Sequence, residues 1–484
     1  MKLNELLKNE KYEVLSGNDD IEITSVEYDS RKVNEGSVFV CITGFKTDGH
    51  KFIDPAVKNG AKAVVVQKKC EVPEGIVCVK TENTRHTLAH MAAQYYGNPA
   101  KKMRIIGVTG TNGKTTTTYL IKSILETVGR KTGIIGTIQN CIGDRVIHAD
   151  RTTPESLELH ELFKEMYDEK VDDVIMEVSS HSLDLHRVDE CNFEIGMFTN
   201  LTEDHLDYHK TMENYRDAKA ILFTMCKKAV INIDDPYGDY MVSKAVGEVI
   251  KTGIENKNAD MNAVNLVMHP NGVEFDIEYK GEKHHVEYHV PGKFSVYNAI
   301  GAIAAGVLLG VPMENILQGI KTVKGVKGRF EPIKTYNGIT AIVDYSHTPD
   351  SLENMLNTAR EFVKGRIITV FGCGGDRDKL KRPIMGEIAG RLSDYCIITS
   401  DNPRTEDPQT ILDEIEPGTA QTGCKYEKIL DRREAIFRAI KIAEPNDFVA
   451  VAGKGHEDYQ IFADRTIHFD DAEVILDAFK EIEK

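Results

Sequence analysis

A glycine-rich segment between an apolar run and a helical pattern constrains this chain more than any other feature. Gly107-Val108-Thr109-Gly110-Thr111-Asn112-Gly113-Lys114-Thr115-Thr116 follows the apolar run Arg104-Ile105-Ile106, and the apolar spacing of residues 117–128 predicts a helix. A strand, a glycine-rich turn and a helix that opens with lysine and threonine are typical of a phosphate-binding loop, because backbone N–H groups face the anion. The usual G-x-x-x-x-G-K-[ST] spacing requires glycine at position 108, where valine stands, so the pattern favours a family with its own loop over a common kinase or motor.

Composition excludes several classes of function. The chain has 484 residues, enough for two to four domains, and a formal net charge of −16 that argues against a general nucleic-acid or membrane-surface binder. The longest apolar run, Ala299 to Val311, is shorter than the ~18 residues that cross a bilayer. The nine cysteines are scattered without a C-x-x-C pair, and no secretory signal opens the chain, so we expect a cytoplasmic protein with reduced thiols.

Apolar runs divide the chain into three units, which we predict as a small mixed α/β domain (1–98), a central domain (99–332) and a C-terminal domain (333–484). Strands and helices alternate in the central unit, which predicts a mainly parallel sheet with helices on both faces and two antiparallel strands near its end. The third unit predicts a Rossmann-like α/β sheet. The predicted strands are 37–42, 63–66, 174–178, 195–198, 229–232, 273–279, 285–290, 341–344, 367–371, 396–399 and 448–451, and a long helix is predicted over 295–309.

Three features of the central unit suggest chemistry. Glu177 ends an apolar strand, where phosphate-loop enzymes often place a magnesium ligand, although a solvated strand end is the alternative. Residues 200–209 are dense in groups that bind metal or transfer protons, so we expect at least one functional residue among them. Lys219 shares a helix face with Tyr215 and with Leu222 or Phe223; burial would lower the pKa of its amine, which could then add carbon dioxide to form a carbamate. A surface lysine whose ammonium reaches solvent is the plainer interpretation of that position.

Four polar loops follow predicted strands in the third unit, at 344–349, 372–377, 401–404 and 453–457. Ligands collect at the carboxyl ends of strands in open α/β sheets, so these loops predict one site. Two arginines and Glu457 could hold a zwitterion, since arginine pairs with a carboxylate and a carboxylate holds an ammonium group. Ordinary salt bridges between loops are the alternative.

Together these residues closely resemble the Mur ligase family, which builds the peptide of bacterial cell-wall precursors, over essentially the whole chain. The segment 110–115 resembles that family's ATP loop, and the segment 215–223 resembles its segment with a carbamylated lysine, here Lys219. The resemblance implies ATP contacts from Gly110, Thr111, Asn112, Gly113, Lys114, Thr115, Thr116, Asn298 and Arg329.

The likeness within the family is to members that extend UDP-MurNAc-L-Ala-D-Glu. It implies that this acceptor contacts Ser30, His50, Thr152, Thr153, Ser179 and Arg187. Leu185 departs from the pattern, because many relatives carry glutamine there, and a polar substrate contact is then missing or comes from a neighbour.

The loop 401–404 resembles the form that adds meso-diaminopimelate. That diamine differs from lysine by a second carboxylate, for which Arg404 is a bidentate partner, and lysine would leave the guanidinium unpaired. The implied amino-acid pocket consists of Arg377, Asp401, Asn402, Pro403, Arg404, Gly453 and Glu457.

The resemblance implies that ATP phosphorylates the D-glutamate γ-carboxylate and that an amine of diaminopimelate attacks the acyl phosphate, in peptidoglycan synthesis. The implied catalytic residues are Lys114, Glu177, His205, Lys219, Asp344 and His347. The implied Mg²⁺ ligands are Thr115, Glu177, His205 and the carbamate of Lys219. We expect a monomer whose partners are ATP and these two substrates, with no nucleic acid and no membrane.

Four rival functions remain at this stage. A lysine-adding ligase would differ in amino-acid preference, and a folylpolyglutamate synthetase would need neither the N-terminal unit nor the 401–404 loop. A GTPase switch would need an N-K-x-D guanine-binding motif, which residues 256–260 miss by one position in what we interpret as an exposed loop. A nucleotide-binding scaffold would leave the loops of the third unit unexplained.

Overall fold

Three open sheets organise the computed structural model, which describes residues 1–44, 47–149, 151–269 and 272–483. Their strands lie at 12–81, 104–288 and 331–428 with 448–452, so each sheet belongs to one of the three predicted units. The predicted mixed α/β class is confirmed. The division at residues 98 and 332 stays a prediction, and the first strand of the third sheet begins at Glu331.

The N-terminal sheet has the order β1-β5-β4-β3-β2, with β1 antiparallel to β5 and the other pairs parallel. Helices α1 and α3 cover one face of it, and α2 covers the other. The elements are β1 Tyr12–Ser16, β2 Val26–Glu27, β3 Val38–Val40, β4 Ala63–Val66, β5 Val77–Thr81, α1 Leu3–Leu6, α2 Ile53–Lys58 and α3 Thr84–Tyr95, with short 3₁₀ helices at Gly49–Phe52 and Pro99–Lys101.

The central sheet has eleven strands in the order β16-β15-β14-β13-β12-β11-β6-β10-β7-β8-β9. Its inner pairs are parallel, and β15 and β16 are antiparallel at one end, as predicted. The antiparallel strands β8 and β9 at the other end were not predicted. The strands are β6 Arg104–Thr109, β7 Thr132–Ile135, β8 Asn140–Ile142, β9 Arg145–Ile147, β10 Asp173–Glu177, β11 Ile195–Phe198, β12 Lys228–Asn232, β13 Glu248–Gly253, β14 Met261–His269, β15 Gly272–Tyr279 and β16 Glu282–Tyr288.

Helices cover both faces of this sheet, because apolar side chains of buried parallel strands need a partner layer on each side. Helices α4, α10 and α11 pack on one face, and α5 and α8 pack on the other. The helices are α4 Lys114–Glu126, α5 Ser156–Asp168, α6 Ser180–Asp184, α7 Leu206–His209, α8 Met212–Met225, α9 Gly238–Lys244, α10 Lys293–Leu308 and α11 Met313–Thr322.

The C-terminal sheet has the order β17-β18-β22-β19-β20-β21, and only β17 is antiparallel to its neighbour among the described strands of this sheet. Helices α12, α13 and α14 cover one face, and α15 and α16 cover the other, as a Rossmann-like domain requires. The elements are β17 Glu331–Tyr336, β18 Ile339–Asp344, β19 Ile367–Phe371, β20 Tyr395–Ile398, β21 Lys425–Lys428, β22 Phe448–Ala452, β23 Tyr459–Ile461, β24 Thr466–His468, α12 Pro349–Phe362, α13 Lys381–Leu392, α14 Pro408–Ala420, α15 Arg432–Ile442 and α16 Asp471–Ile482.

Candidate active site

The phosphate loop joins β6 to α4 in the middle of the central sheet. Gly113 adopts φ 84°, a left-handed conformation that favours glycine, and a Cβ there would lie 2.4 Å from Oδ1 of Asn298. Asn298 on α10 therefore touches the loop, and Thr117 Oγ1 donates to the same Oδ1 over 3.5 Å. Helix α4 begins at Lys114, so its first N–H groups face the space above the loop.

Two lysine side chains meet at one carbonyl of this loop. Lys114 Nζ donates to the carbonyl oxygens of Gly110 (2.9 Å) and Thr111 (2.8 Å), and Lys219 Nζ donates to that of Gly110 over 2.8 Å. Lys219 is only 2% exposed, and its Nζ lies 4.5 Å from the centre of the Tyr215 ring. The structure thus places Lys219 beside the predicted ATP site, not at the surface.

Burial is the main reason why the pKa of Lys219 lies well below its ordinary value, and the positive charge of Lys114 lowers it further. Burial also lowers the pKa of Lys114, against the opposing effect of Glu177. A lysine with a lowered pKa carries a larger fraction of neutral amine at neutral pH, and neutral amine is the form that reacts with carbon dioxide.

Glu177 lies at the end of β10 and is 1% exposed. Its Oε1 accepts hydrogen bonds from Thr115 Oγ1 and from the backbone N–H of Thr137, both over 2.9 Å. Its Oε2 accepts from Thr137 Oγ1 over 3.0 Å. The predicted pair Thr115 and Glu177 therefore lies in contact, with oxygen ligands of the kind that Mg²⁺ prefers.

A cluster of rings lies beside the phosphate loop, where the Tyr215 hydroxyl is 3.3 Å from Thr111 Oγ1. The His205 ring is 4.9 Å from that of His181 and 6.1 Å from that of Tyr215, and His209 stacks on Tyr215 at 5.0 Å. His205 has φ 55° and an exposed side chain, with Nε2 3.3 Å from Asp204 Oδ2. His209 is buried and its Nε2 contacts Ser180 Oγ at 2.9 Å. His205 thus presents its imidazole to solvent near the loop, whereas His209 supports the cluster from within.

The predicted acceptor contacts of the central domain lie next to Glu177. Thr153 Oγ1 donates to the Glu177 carbonyl (2.9 Å) and accepts from the Ser179 N–H (3.2 Å), while Ser179 Oγ caps helix α6. Thr152 Oγ1 is 3.0 Å from Thr137 Oγ1. Arg187 donates to the Thr153 carbonyl over 3.2 Å, so the structure brings all four residues together.

The N-terminal domain approaches this region through Arg85. Its guanidinium lies 3.8 Å from Glu155 Oε2, and its NH2 donates to the Thr43 carbonyl over 3.4 Å. His50 contacts Asp48 Oδ1 through Nδ1 (2.6 Å), and its Nε2 accepts the Gln67 N–H (3.1 Å). Both ring nitrogens of His50 are therefore engaged, with the proton on Nδ1, and its side chain is only 6% exposed.

Ser30 lies in the same domain, between the strand β2 and the loop before β3. Its carbonyl accepts a hydrogen bond from Asn59 Nδ2 over 2.8 Å, and its side chain is half-buried. The preceding Asp29 is paired with Arg31. These contacts of Ser30 and His50 lie within the N-terminal domain, and their part in acceptor binding stays a prediction.

In the C-terminal domain a buried polar network follows β20 and β22. Asn402 Nδ2 donates to Glu457 Oε2 over 2.8 Å, and Lys454 Nζ lies 3.2 Å from both Glu457 Oε2 and Asn402 Oδ1. Burial raises the pKa of Glu457. A Cβ on Gly453, where φ is 117°, would lie 2.6 Å from Asp401 Oδ2, so only glycine lets these two loops approach.

The two predicted arginines lie on neighbouring loops of that network. Arg404, at φ 53°, donates through NH1 to the carbonyls of Gly375 (3.0 Å) and Asn402 (3.4 Å). Arg377 donates to the Asp376 carbonyl over 3.0 Å. Pro403 packs against Gly375, where a Cβ would lie 1.9 Å from the Pro403 carbonyl oxygen. Both of these acceptors are main-chain oxygens, so neither neutralises the charge of the Arg404 guanidinium.

Asp344 and His347 lie where β18 ends. Asp344 accepts hydrogen bonds from the Phe330 N–H (2.7 Å) and from Ser346 Oγ, and burial raises its pKa. His347 has an exposed side chain, and its Nδ1 donates to the Tyr345 carbonyl over 2.8 Å. With the proton on Nδ1, Nε2 of His347 is a lone-pair acceptor, whereas Asp344 is committed to shaping the loop that carries Arg329.

The C-terminal domain and the segment just before its first strand, β17, also contact the phosphate loop directly. Arg329 NH2 donates to Thr115 Oγ1 over 3.3 Å, and its guanidinium lies 4.7 Å from the centre of the Tyr345 ring. Asp350, in the first turn of α12, accepts from the Asn112 side chain. The loop therefore lies where the two domains meet, with the predicted contacts Asn112, Thr115 and Arg329 close together and Thr116 buried.

Sequence reasoning missed several residues of this site. Asp350, Thr137 and Glu155 carry no motif of their own; Glu155 is recognisable only by its position after Thr152-Thr153-Pro154. Glu155 Oε1 is 2.7 Å from Arg187 Nε and 2.9 Å from Arg151 NH1, so it holds the Arg187 side chain in place. Lys454 had a detectable signal, since it is a lysine directly after the apolar strand β22.

Together the fold and this site define a three-domain phosphate-loop enzyme. Residues 22–96 match the Mur ligase family catalytic domain, residues 108–306 the Mur ligase middle domain, and residues 328–455 the Mur ligase glutamate ligase domain. The chain is 53% identical, over 100% of both chains, to a Clostridium botulinum protein named UDP-N-acetylmuramoyl-L-alanyl-D-glutamate–2,6-diaminopimelate ligase. The chain belongs to the Mur ligase family and is a ligase of that family.

Comparison with solved structures supports the same family assignment. A structure of a UDP-N-acetylmuramoyl-L-alanyl-D-glutamate–2,6-diaminopimelate ligase is 31% identical with a TM-score of 0.73, covering 100% of this chain and 99% of that one. A Mycobacterium tuberculosis folylpolyglutamate synthase complexed with ADP and AMPPCP has the same fold at 17% identity and a TM-score of 0.62, but covers only 76% of this chain. Within the described residues, none of the helices is both long enough and apolar enough to traverse a bilayer.

Proposed function

We propose that this protein joins meso-diaminopimelate to the γ-carboxylate of the D-glutamate in UDP-MurNAc-L-Ala-D-Glu, with hydrolysis of ATP to ADP and phosphate. The observation that carries the proposal is the meeting of Lys114 and Lys219 at the Gly110 carbonyl, beside the Thr115–Glu177 pair. A phosphate loop with a buried second lysine suits phosphoryl transfer to a carboxylate. The γ-phosphate and the carboxylate are both negatively charged, so their repulsion must be compensated.

The chain's own residues hold and orient the reacting groups. The loop N–H groups and Lys114 would bind the triphosphate of ATP, and Arg329 approaches the same place from the segment just before β17. Thr152, Thr153, Ser179 and Arg187 would place the acceptor carboxylate against the γ-phosphate. Positioning is the main contribution, since the acyl phosphate forms once the two substrates are aligned.

Thr115 and Glu177 fit Mg²⁺, because they present a hydroxyl and a carboxylate in direct contact at the phosphate loop, and His205 would add an imidazole nitrogen. Bound there, Mg²⁺ would neutralise negative charge on the phosphates. Carbamylation of Lys219 would turn a buried amine into an anion. The cation of Lys114, whose Nζ donates to the same carbonyl, favours that anion.

In the C-terminal domain, Glu457, Asn402 and Arg404 suit a diamine with two carboxylates. A carboxylate such as Glu457 can accept from an ammonium group, while the Arg404 guanidinium can pair with the distal carboxylate. The amine that attacks must first lose a proton. His347 is the better of the two predicted helpers, because its Nε2 is an acceptor and its side chain is exposed, whereas Asp344 is occupied by the Phe330 N–H and Ser346.

Closure of the C-terminal domain over ATP would exclude water from the acyl phosphate. We propose a cytoplasmic, monomeric enzyme of peptidoglycan synthesis, and hence a contributor to cell shape and division. Nine free cysteines among the described residues are consistent with a reducing compartment.

A substrate panel tests the proposal. Phosphate release by the purified enzyme is measured with ATP and Mg²⁺, adding UDP-MurNAc-L-Ala-D-Glu, meso-diaminopimelate and L-lysine singly and in pairs, and in a separate arm a folate with L-glutamate. We expect release only when acceptor and diaminopimelate are both present. Release with lysine in preference would identify a lysine-adding ligase, and release with a folate and glutamate would identify a folylpolyglutamate synthetase. ATP hydrolysis at the same rate with and without every acceptor would contradict the proposal.

A further inference from the structure

Two histidines and an aspartate converge where the N-terminal and central domains meet, away from the phosphate loop. His86 lies on α3 of the N-terminal domain, and His186 and Asp189 lie in the loop after α6 of the central domain. Nδ1 of His86 is 2.5 Å from Asp189 Oδ2, and Nδ1 of His186 is 2.9 Å from the same oxygen. One ligand atom from each residue lies within 4.8 Å of the other two.

We propose that His86, His186 and Asp189 bind a divalent transition-metal ion with the preferences of Zn²⁺, and that this ion links the N-terminal domain to the central domain. Two imidazole nitrogens and one carboxylate oxygen form a ligand set that suits Zn²⁺, with water in the fourth position. The set suits Mg²⁺ poorly, because Mg²⁺ prefers oxygen ligands in an octahedron. The inference is independent of the proposed ligase function.

The geometry requires only a small adjustment. Zinc bonds of about 2.0–2.1 Å in a tetrahedron keep neighbouring ligand atoms about 3.3 Å apart. The present separations of 2.5 and 2.9 Å would therefore widen by less than about 1 Å as an ion replaces the two hydrogen bonds. The side chains of His86 and His186 are 44% and 38% exposed, so they can rotate and an ion can reach them.

A carboxylate next to Nε2 of His86 supports the same assignment of a metal site. Glu10 Oε1 lies 3.4 Å from Nε2 of His86, on the side of the ring opposite Asp189. A proton on Nε2 would face Glu10 and leave the Nδ1 lone pair directed at the ion. This carboxylate–histidine–metal arrangement fixes the tautomer and raises the basicity of the ligand.

The neighbouring charges also favour a cation. Glu10 and Asp189 contribute negative charge on either side of His86, and Glu190 adds a third carboxylate beside His90 and Lys101. His90 is not part of the ligand set, because its Nε2 faces the Lys8 carbonyl at 2.8 Å and its Nδ1 faces Glu190 at 3.1 Å. Its imidazole instead ties the N-terminal domain to the loop that carries Asp189.

Metal binding here would affect the acceptor site through the chain itself. Arg187 lies between His186 and Asp189 in sequence, and its guanidinium contacts Glu155 and the Thr153 carbonyl. His186 adopts φ 56°, a left-handed conformation that is costly for a residue with a Cβ. An ion held by the residues on both sides of Arg187 would therefore fix the backbone of that arginine relative to the N-terminal domain.

Zinc stoichiometry tests the proposal. Full-length protein stripped with EDTA is dialysed against Zn²⁺ in millimolar Mg²⁺, and bound zinc is counted by atomic spectroscopy. We expect wild type to bind one more Zn²⁺ per chain than His86→Gln or His186→Gln. His468→Gln is the matched control, because His468 is also paired with a carboxylate, Glu473 at 2.8 Å, but lies on β24. Equal zinc counts in all four proteins would overturn the proposal.

Two further measurements separate loss of the site from loss of the fold. Asp189→Asn keeps the shape of the side chain but removes its charge, and should weaken Zn²⁺ binding at least tenfold while metal-free circular dichroism stays as in wild type. Added Zn²⁺ should raise the thermal midpoint of wild type and of His468→Gln, and should leave the midpoint of the ligand variants unchanged. An equal rise in the ligand variants would place the ion elsewhere and contradict the assignment.

Discussion

Oδ2 of Asp350 accepts hydrogen bonds from Asn112 Nδ2, 2.7 Å away, and from Thr202 Oγ1, 2.9 Å away. Asp350 belongs to the C-terminal domain, whereas Asn112 and Thr202 belong to the phosphate loop and to the segment after β11. Helix α12 begins next to Asp350 because Thr348 caps it and Pro349 occupies its first position. The start of one helix thus fixes how the C-terminal domain meets the ATP site.

Removal of this carboxylate should weaken ATP use. We expect Asp350→Ala to lower kcat/KM for ATP about tenfold or more, since hydrogen bonds to a charged acceptor contribute about 1.5–3 kcal/mol each. Steady-state kinetics with ATP as the varied substrate measures the change. Asp464→Ala removes an exposed carboxylate of the same domain and should match wild type. Wild-type kinetics for Asp350→Ala would show that this contact does not contribute to the active state.

Lys219→Ala should abolish most turnover, because it removes both the buried amine and the proposed carbamate. Formate or acetate should restore part of the activity by supplying a carboxylate in the space left by the side chain. Turnover is measured with and without each anion, and Lys227→Ala, which removes a surface lysine paired with Glu194, is the control. Near-normal activity of Lys219→Ala would remove the carbamate from the mechanism.

Arg404→Ala should weaken the use of diaminopimelate by ~2 kcal/mol or more, because the distal carboxylate loses its charged partner. The change should appear mainly in kcat/KM for diaminopimelate, with little change in KM for ATP. Arg465→Ala, at an exposed arginine paired with Asp464, provides the comparison. Unchanged constants for diaminopimelate in Arg404→Ala would mean that the pocket is assigned wrongly.

Glu177→Gln should raise the Mg²⁺ concentration required for half-maximal activity, because an amide oxygen is a weaker ligand than a carboxylate. A magnesium titration at saturating ATP measures the shift. The isosteric substitution retains the side-chain size, and Glu203→Gln in the nearby exposed loop controls for a general loss of negative charge. Coincident titration curves for Glu177→Gln and wild type would count against a role in metal binding.

His160 on α5 should make stability depend on pH. Burial lowers the pKa of its imidazole to about 4, whereas an unfolded chain titrates near the ordinary value of about 6.5. As pH falls through 6.5 towards 4 the unfolded state takes up the proton first, so the free energy of unfolding falls by up to about 3 kcal/mol. Above pH 6.5 this contribution is fully present.

Urea unfolding between pH 4 and pH 7 measures that slope. His160→Leu should have a shallower pH dependence over this window, whatever its stability at pH 7, because the group that takes up the proton is gone. His284→Leu, on the edge strand β16, should keep the wild-type slope. An unchanged slope in His160→Leu would show that other groups account for the acid sensitivity.

Much of the fold could be predicted because local patterns and buried parallel strands agree. Residues 195–198 match β11 without error, and the predicted helix at 295–309 is α10, Lys293–Leu308. Lys219 was also predictable in position, since Tyr215 and Leu222 surround it at helical spacing. Its burial depends on β11 and on the phosphate loop, and Gly110 of that loop lies 109 positions earlier in the chain. Local spacing alone therefore favoured a surface lysine.

Contacts between domains could not be predicted in the same way. Asp350 follows a proline in an ordinary helix start, and nothing local indicates that its carboxylate reaches Asn112, 238 positions away. Likewise His86 and Asp189 are 103 positions apart and belong to different domains. Such pairs arise from how whole domains pack, whereas periodicity and turn residues report only on the nearest neighbours in the chain.

The absence of a side chain at Gly113 has a consequence for anyone who would recombine this enzyme. Asn298 occupies the space that a Cβ would need, and it comes from a helix encoded far downstream. A hybrid with its crossover between these two positions would bring together surfaces that were never selected to fit. Breakpoints for functional chimaeras should therefore keep residues 110–298 from a single parent.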